Sequence, residues 1–324
     1  MSLPVEGQAP SLGGATAWLN SPPLEISDLH GRVVVVNFCT YTCINWIRTL
    51  PYVRAWEARY RDDGLTMLGV HTPEFSFEHD HGNIETALKQ MNVTWPIAID
   101  DDYEVWRAFA NHYWPALYFI DTQGRIRHHH FGEGEYESSE LVIQQLLAEA
   151  GSSGIEPGLV APHAQGAEAQ ADWDTLGSGE TYLGYGHSTG FASAHGIVPD
   201  VRQVYVLPES LARNEWALTG AWTISSEAST SDEPGGRIAY RFTARDVNLV
   251  MGPQTSGSVV PFRVTLDGDA PGGASGVDVQ ADGSGVLIEQ RMYQLIRQPG
   301  PIVDRLFEVE FLDAGAQALC FTFG

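Results

Sequence analysis

The chain has 324 residues, of which 43% are hydrophobic, 41 are acidic and 18 are basic, giving a formal net charge of −23. This charge repels phosphate backbones and anionic membrane surfaces, so no nucleic-acid partner is expected. No apolar run approaches the roughly 20 residues that a membrane span requires, and the length favours two domains of ordinary size.

The first half of the chain alternates segments with strand and helix patterns. Residues 17–19 and 24–26 flank a Ser-Pro-Pro turn and predict a hairpin. Residues 33–38 form a β-branched run, which is typical of a strand buried on both faces of a sheet. Apolar residues at helical spacing follow from Ile44, and residues 66–71 form a second strand that completes a βαβ unit.

The remainder of this half continues the alternation. We predict helices over 83–91 and 103–110, strands over 97–99, 116–121 and 125–131, and a last helix capped by Ser138 or Ser139 that ends near Ala150. The turn at residues 122–124 is a hairpin signal. This order of elements predicts an α/β domain over residues 1–150, with an antiparallel edge to its sheet.

The pattern of the sequence changes in the second half. Residues 151–172 are rich in Gly, Ala, Ser and Pro without periodicity, so we expect an interdomain linker there. Beyond it, short segments alternate apolar with polar residues. These segments are 203–207, 237–242, 247–251, 262–266 and 306–311. Many short strands with almost no helical pattern predict an all-β sandwich or jelly roll over residues 173–324.

Two of the three cysteines lie where the strand over 33–38 gives way to a helix. The pattern places Cys43 at the start of that helix, and the partial positive charge of a helix N-terminus favours thiolate over thiol. Cys43 is therefore the expected nucleophile. Cys320 lies in an apolar segment near the end of the sequence and is expected in the core.

This arrangement resembles the thioredoxin-like redoxin family, including its AhpC/TSA and TlpA/ResA types. The resemblance rests on residues 31–38 leading into the cysteines, on residues 114–121 and on the turn at 121–125. It implies a thioredoxin-like fold in which a cis Pro115 faces the thiol and, with Trp114, forms the wall that meets the substrate. With its β-rich second half, the chain resembles the soluble C-terminal part of DipZ proteins, in which a carbohydrate-binding-module-like sandwich follows the redoxin domain.

One position departs from the family pattern. Family members usually carry two cysteines separated by two residues at the helix start, and the second attacks the mixed disulfide that the first has formed. Trp46 stands at that second position here, and we assign it to the substrate-binding set. Cys39 takes the strand-end place where many relatives have Trp, four residues before Cys43.

Three active roles are open for this pair. Cys39 is a possible resolving thiol if its Cα comes within about 7 Å of that of Cys43. Alternatively, Cys43 acts alone, reacting with peroxide to a sulfenic acid that an external thiol reduces, and Thr40 matches part of the peroxiredoxin motif. The Cys-x-x-x-Cys spacing also resembles the copper site of Sco proteins, in which a His is the third ligand. The structural alternative for Cys39 is a small buried hydrophobe.

Acidic and imidazole side chains follow the strand over 66–71. Glu74 should lie beside the cysteine loop, because neighbouring parallel strands open onto one edge of a sheet. In ResA-type relatives a Glu at the matching place helps to manage the protons of the thiols, so Glu74 is a candidate proton acceptor. His71, His79 and His81 are weaker candidates for a general base or a metal ligand.

The leading prediction is a thiol-dependent oxidoreductase, of the thiol-disulfide exchange or peroxidase type, with no cofactor and no metal. Its partners would be a thiol or disulfide protein, or a peroxide, together with an external thiol reductant. The competing prediction is a non-catalytic module whose sandwich binds a glycan or a protein. Trp216 and Trp222 are then conceivable stacking platforms, or else core residues. Copper binding through Cys39 and Cys43 ranks third.

The cellular compartment is left open by the sequence. No basic segment followed by an apolar one opens the chain, so no signal peptide is predicted. The cytoplasm is therefore possible, as is the periplasm for a chain whose leader has been removed. Three cysteines do not form a disulfide scaffold in a chain of this size. A redox role for the cysteines is therefore favoured over a role in structural disulfides.

Overall fold

The computed structural model describes residues 3–324, so the first two residues of the predicted first domain lie outside it. The chain divides into two compact units, one ending at Glu168 and the other spanning Ala169–Gly324. Most of the predicted linker, residues 151–172, therefore belongs to the first unit, where Glu168 pairs with Arg54 at 2.7 Å. Within the described residues, no helix is both long and apolar enough to cross a membrane.

The first unit is built on a seven-stranded sheet. Its strands are β1 (Gly7–Gln8), β2 (Ala17–Leu19), β3 (Val33–Cys39), β4 (Leu65–His71), β5 (Ile97–Ile99), β6 (Ala116–Ile120) and β7 (Arg125–Phe131). Their order across the sheet is β1-β7-β6-β3-β4-β5-β2, with β3, β4 and β5 parallel and β6 antiparallel to β3. The central β3 is buried along its whole length, as its β-branched sequence predicts.

The described residues of this unit form four α-helices. They are α1 (Ile44–Tyr60), α2 (His81–Gln90), α3 (Glu104–Ala108) and α4 (Tyr136–Glu149). Phe38 of β3 packs edge-to-face against Trp106 of α3 and against Phe109, with ring centroids 5.7 and 5.3 Å apart. The helices α1 and α4 contact β4 and β3. The alternation of strands and helices makes this unit an α/β domain with an antiparallel edge to its sheet, as predicted.

Two local predictions in this unit are wrong. Residues 17–19 do not form a hairpin with residues 24–26, because β2 pairs antiparallel with β5 and a short 3₁₀ helix begins at Ile26. The last helix begins at Tyr136, ahead of the predicted serine cap. Its N-cap is Glu135, in the left-handed backbone region with φ 47°. The first error arises because pairing with β5, distant in the sequence, overrides a locally favourable turn.

The second unit consists of strands and a short 3₁₀ helix, Gly272–Ala274. Its strands are β8 (Thr181–Tyr182), β9 (Gln203–Tyr205), β10 (Trp216–Ile224), β11 (Ser229–Ser231), β12 (Gly236–Phe242), β13 (Asp246–Pro253), β14 (Val260–Leu266), β15 (Ser284–Leu287), β16 (Arg291–Arg297), β17 (Arg305–Phe311) and β18 (Ala316–Phe323). Five of them, β9, β12, β13, β14 and β17, overlap the five segments whose alternation predicted strands.

Strand β10 turns the sheet of this unit back on itself. Its first part pairs with β12, whereas the part after Gly220 pairs with β9 and β11. Gly220 has φ 93°, and a Cβ there would lie 3.3 Å from the Gly236 Cα, so glycine suits this corner. The enclosed core includes Trp216, Trp222 and Phe321. The second unit is therefore an all-β sandwich, as predicted.

Candidate active site

Cys43 lies at the junction between β3 and α1. It is the N-cap residue of α1, with extended backbone angles (φ −70°, ψ 113°), and its side chain is half-buried. The thiol donates to the Trp114 carbonyl at an Sγ–O distance of 3.9 Å. Trp114 is joined to Pro115 by a cis peptide bond, directly before β6. The helix start, predicted from the sequence pattern, and the Trp-Pro pair, implied by the family resemblance, therefore meet at the Cys43 sulfur.

A buried ion pair holds α1 against the segment that follows β7. Arg48 Nη1 lies 3.0 Å from Glu133 Oε1, and neither side chain is more than 5% exposed. Burial raises the pKa of Glu133, and the Arg48 guanidinium opposes that rise. The preceding residue, Gly132, donates its N–H to the Pro115 carbonyl at 2.8 Å. One loop therefore contacts both α1 and the cis proline.

Trp46, at the position of the second cysteine in the redoxin motif, belongs to the core. It is fully buried, and its indole N–H donates to Asn37 Oδ1 at 2.8 Å. Asn37 is itself buried in β3, so this bond satisfies an amide oxygen that would otherwise be costly to bury. Trp46 has no exposed surface with which to contact a substrate, and its position gives it a packing role.

Cys39 is the last residue of β3 and is fully buried. Its thiol donates to the Val70 carbonyl at an Sγ–O distance of 3.4 Å. Burial, and then the negative charge of Glu78, raise the pKa of Cys39. Cys39 and Cys43 are both thiols in the described part of the chain, with no disulfide between them. Cys39 is therefore an uncharged thiol at physiological pH.

A buried carboxyl group, that of Glu78, is bonded to the turn that presents Cys43. Thr42 Oγ1 donates to Glu78 Oε1 at 2.6 Å, and the N–H groups of Glu74 and Phe75 donate to Oε2 at 2.6 and 3.0 Å. Glu78 is fully buried. Burial raises its pKa, and these hydrogen bonds oppose the rise. Glu78 thus ties the residue before the nucleophile to the loop after β4.

Sequence reasoning missed Glu78 and named Glu74 instead. Glu74 is half-buried and contributes its backbone N–H to the network. The available signal was the position of Glu78 as the third residue of the short 3₁₀ helix Ser76–His79, where a Glu often accepts backbone N–H bonds. Such a capping Glu is normally solvent-exposed, so the sequence carried no sign of its burial beside a thiol.

Tyr103 connects this network to the Trp-Pro segment. Its hydroxyl donates to the Pro73 carbonyl, and its ring centroid lies 6.5 Å from that of Trp114. Burial, and then the charge of Glu78, raise the pKa of Tyr103 to about 12, so the phenol stays protonated. A chain of contacts through Tyr103 therefore joins Trp114, which contacts Cys43, to the loop that Glu78 ties to Thr42.

Replacing Thr42 by valine should destabilise the first unit by about 1–3 kcal/mol, because it leaves a buried carboxyl oxygen without its hydroxyl donor. The pKa of Glu78 should rise further, since the Thr42 hydroxyl lowers it. Urea unfolding measures the change in free energy. The matched control is Thr16→Val, which removes a 2.8 Å bond to Asp101 at an exposed site and should cost less. Equal losses of unfolding free energy in the two variants would contradict a special cost of the buried Thr42–Glu78 bond.

His71 ends β4 and is fully buried, with its ring stacked on that of Tyr41 at 5.8 Å. Among the described residues, neither ring nitrogen has a hydrogen-bond partner. Burial lowers the pKa of His71 to about 3. A neutral imidazole without a hydrogen-bonded proton path does not suit a general base, so this predicted role lacks support from the geometry.

Other candidate residues from the sequence are engaged in local contacts. Thr40 is fully buried beside Glu78. His79 and His81 pair with Asp101 at 3.4 and 2.9 Å. In the part of the chain that the structure describes, no three His, Cys, Asp or Glu side chains converge to hold a metal ion. The copper alternative therefore has no ligand set in the described residues.

The second unit presents none of its suggested stacking platforms at its surface. Trp216 and Trp222 are fully buried, and their indole N–H groups donate to the carbonyls of Thr189 and Thr219. Both are core residues, the alternative that the sequence had left open. Cys320 is buried in β18, as predicted.

Comparison with known proteins follows the division into two units. Residues 7–129 match the AhpC/TSA family, and residues 178–324 match the family described as thioredoxin like C-terminal domain. The DipZ proteins of Mycobacterium bovis and Mycobacterium tuberculosis are each 37% identical over 250 residues, covering 76% of this chain and 35% of theirs. The chain thus spans about a third of the length of these relatives.

Shorter relatives match the first unit. The thiol-disulfide oxidoreductase YkuV of Bacillus subtilis is 29% identical over 140 residues, covering 43% of this chain and 94% of that protein. A solution structure of a thioredoxin-like protein in the oxidized form is 30% identical, with a TM-score of 0.41 over 44% of this chain and 96% of that one. Residues 7–129 therefore form a domain of the AhpC/TSA family, and residues 178–324 form a domain of the family described as thioredoxin like C-terminal domain.

Proposed function

We propose that the first unit is a thiol-disulfide oxidoreductase in which Cys43 is the only reacting thiol. The observation that carries this proposal is the placement of the Cys43 sulfur at the N-terminus of the 17-residue helix α1, 3.9 Å from the carbonyl that precedes cis Pro115. The relationship to a protein named as a thiol-disulfide oxidoreductase supports the same class of reaction.

The electrostatics of α1 support a reactive thiolate at Cys43. The first N–H groups of a helix have no intrahelical partner and carry a partial positive charge. The first turn of α1 contains no acidic side chain to cancel that charge. A cysteine at such a helix start has a stabilised thiolate, and the thiolate is the attacking form in disulfide exchange.

The proposed reaction has two displacement steps. The Cys43 thiolate attacks one sulfur of a disulfide R–S–S–R′, forming Cys43–S–S–R and expelling R′–S⁻, which takes a proton from water. An external thiolate R″–S⁻ then attacks the sulfur of R, the bond to Cys43 breaks, and R–S–S–R″ leaves with the Cys43 thiolate restored. The R′ group is reduced, the external thiol is oxidised, and the enzyme is unchanged.

The second thiol is proposed to come from outside the chain because neither internal position supplies one. Trp46 occupies the place of the second cysteine in the motif and is buried in the core. Cys39 is fully buried, donates a hydrogen bond to the Val70 carbonyl and has a raised pKa. A protonated, inaccessible thiol is a poor attacking group.

Trp114 and Pro115 are proposed as the wall against which the substrate lies. Trp114 is half-buried, with its indole packed on Trp106 at a centroid distance of 4.4 Å. Its carbonyl faces the Cys43 sulfur, where it is positioned to accept an N–H from a bound polypeptide. Holding the substrate chain by its backbone would place its disulfide within reach of Cys43 and lower the entropic cost of the attack.

Mapping the site of mixed-disulfide formation tests the proposal. The full-length wild type, Cys43→Ser and Cys39→Ser are incubated with glutathione disulfide at neutral pH, and their peptides are analysed by mass spectrometry. We expect a glutathione adduct on Cys43 in the wild type and in Cys39→Ser, and none in Cys43→Ser. An adduct confined to Cys39, or an unreacted Cys43 in the folded protein, would overturn the assignment.

A further inference from the structure

Four exposed rings form a continuous row beside the Trp114–Pro115 segment, which we call the aromatic ledge; its members are His112, Tyr113, His129 and Phe131. Tyr113 is 54% exposed and Phe131 is 38% exposed, and their ring centroids lie 5.0 Å apart. His129 lies 4.7 Å from Phe131, and His112 lies 6.5 Å from Tyr113. Single exposed apolar residues are ordinary, whereas contiguous exposed rings are typical of interaction surfaces.

The ledge shares its backbone with the Trp-Pro segment. Tyr113 directly precedes Trp114, whose carbonyl lies 3.9 Å from the Cys43 sulfur. Phe131 pairs with Ala116, the residue after Pro115, across the β6–β7 ladder. A polypeptide whose cysteine reaches Cys43 along this segment would therefore place neighbouring side chains against the ledge.

The formal charge of the whole chain distinguishes between thiol partners. The chain carries a formal net charge of −23, which disfavours the approach of anionic thiols such as glutathione. The ledge itself consists of two apolar rings and two imidazoles, and His129 pairs with Glu6 at 2.7 Å. The nearby Glu133 is buried and paired with Arg48. A neutral or basic partner with apolar side chains fits this combination of rings and charge.

We infer that the aromatic ledge binds apolar side chains that flank the reacting cysteine of a neutral or basic polypeptide. This inference rests on the proposed function, because it names the substrate class of the Cys43 reaction. Tyr113 and Phe131 are then the residues that set specificity, and small anionic disulfides react without using them.

Two probes and two variants test this inference on the full-length protein. One probe is glutathione disulfide, and the other is the disulfide-linked dimer of a short basic peptide with phenylalanine beside its cysteine. Tyr113→Ser/Phe131→Ser should slow mixed-disulfide formation with the peptide by about tenfold more than with glutathione disulfide, since apolar burial is lost with the peptide alone. Leu141→Ser removes an apolar side chain of similar exposure, 55%, from α4 and should change neither rate.

A binding measurement separates this inference from the proposed chemistry. The same peptide with serine in place of cysteine cannot react, and its affinity is followed by fluorescence anisotropy. Wild type should bind it about tenfold more tightly than the double variant, with Tyr113→Ser alone as a second test that leaves Phe131 packed. Equal affinity of the wild type and the double variant for this peptide would overturn the inference that the ledge binds apolar side chains. Equal slowing of the reactions with both disulfides would overturn it as well. A failure of Cys43 to react with either disulfide, with binding intact, would overturn the proposed function instead.

Discussion

The first unit should lose about 5 kcal/mol of folding free energy through His71 as the pH falls from 6.5 to about 3. The pKa of His71 is lowered to about 3 in the folded chain, against 6.5 for an unperturbed imidazole. Between these values the unfolded chain binds a proton that the folded chain excludes. The cost is therefore absent above pH 6.5, grows as the pH falls, and is complete near pH 3.

Burial is the main cause of this lowered pKa. His71 has no solvent exposure, and among the described residues its ring nitrogens have no hydrogen-bond partner, so a charged ring would be poorly solvated. The nearby Asp101 opposes the effect only in part. The buried carboxyls of Glu78 and Glu133 have raised pKa values and act in the opposite direction, gaining stability as the pH falls.

Comparison with a His71→Leu variant isolates the contribution of this residue. The variant should be at least as stable as the wild type at pH 7, because two unpaired buried nitrogens are removed. Its advantage should then grow as the pH falls, as measured by urea unfolding at pH 7, 5.5 and 4. His30→Gln, at an exposed position, is the control and should leave the pH profile unchanged. A pH-independent difference for His71→Leu would refute the prediction.

Replacing Arg48 by alanine should destabilise the first unit by about 3–5 kcal/mol, because Glu133 is then left as a buried carboxyl without its cation. The pKa of Glu133 should rise further, since Arg48 is what opposes the effect of burial. Unfolding is best followed by labelling of the buried Cys39 thiol in a Cys43→Ser background. That thiol becomes reactive only when the first unit opens.

Two further variants distinguish a buried ion pair from a general loss of an arginine. Arg61→Ala breaks the pair with Glu57 on the surface of α1, where the arginine side chain is 60% exposed, and should cost less than about 1 kcal/mol. Arg48→Met/Glu133→Leu removes both charges and should recover most of the stability lost in Arg48→Ala. A double variant as unstable as the single one would show that the charge pair is not the cause.

The position of Cys43 was predictable because its determinants are local. A β-branched run, a cysteine and an apolar helical pattern follow one another within a few residues, and β3 and α1 have the expected order. The cis peptide before Pro115 and its approach to the thiol were implied by resemblance to a family, since no local pattern of residues dictates them.

The role of Glu78 was not predictable from the sequence, because it depends on burial created by the fold. A glutamate four residues after Glu74 resembles any surface acid until Thr42 and the two backbone N–H groups converge on it. The same holds for Trp46, which the motif places beside a substrate and the structure places in the core. Its partner Asn37 lies on the preceding strand, facing the helix.

In the second unit, alternation predicted the strands but not the register. Strand β10 belongs to two parts of the sheet because it changes partners at Gly220. A single glycine in a strand pattern is not enough to predict such a change. Exposed and buried tryptophans also look alike in the sequence. Trp216 and Trp222 are in the core because the sheet folds back on itself and encloses them.

The lifetime of a mixed disulfide on Cys43 tests the single-thiol account most directly. Cys43 is loaded with glutathione, excess disulfide is removed, and glutathione release is followed at increasing concentrations of 2-mercaptoethanol. If Cys43 is the only reacting thiol, the release rate should be proportional to the thiol concentration, with an intercept near zero and the same slope in Cys39→Ser. Release that is independent of added thiol, yields a disulfide between Cys39 and Cys43, and is abolished in Cys39→Ser would contradict it.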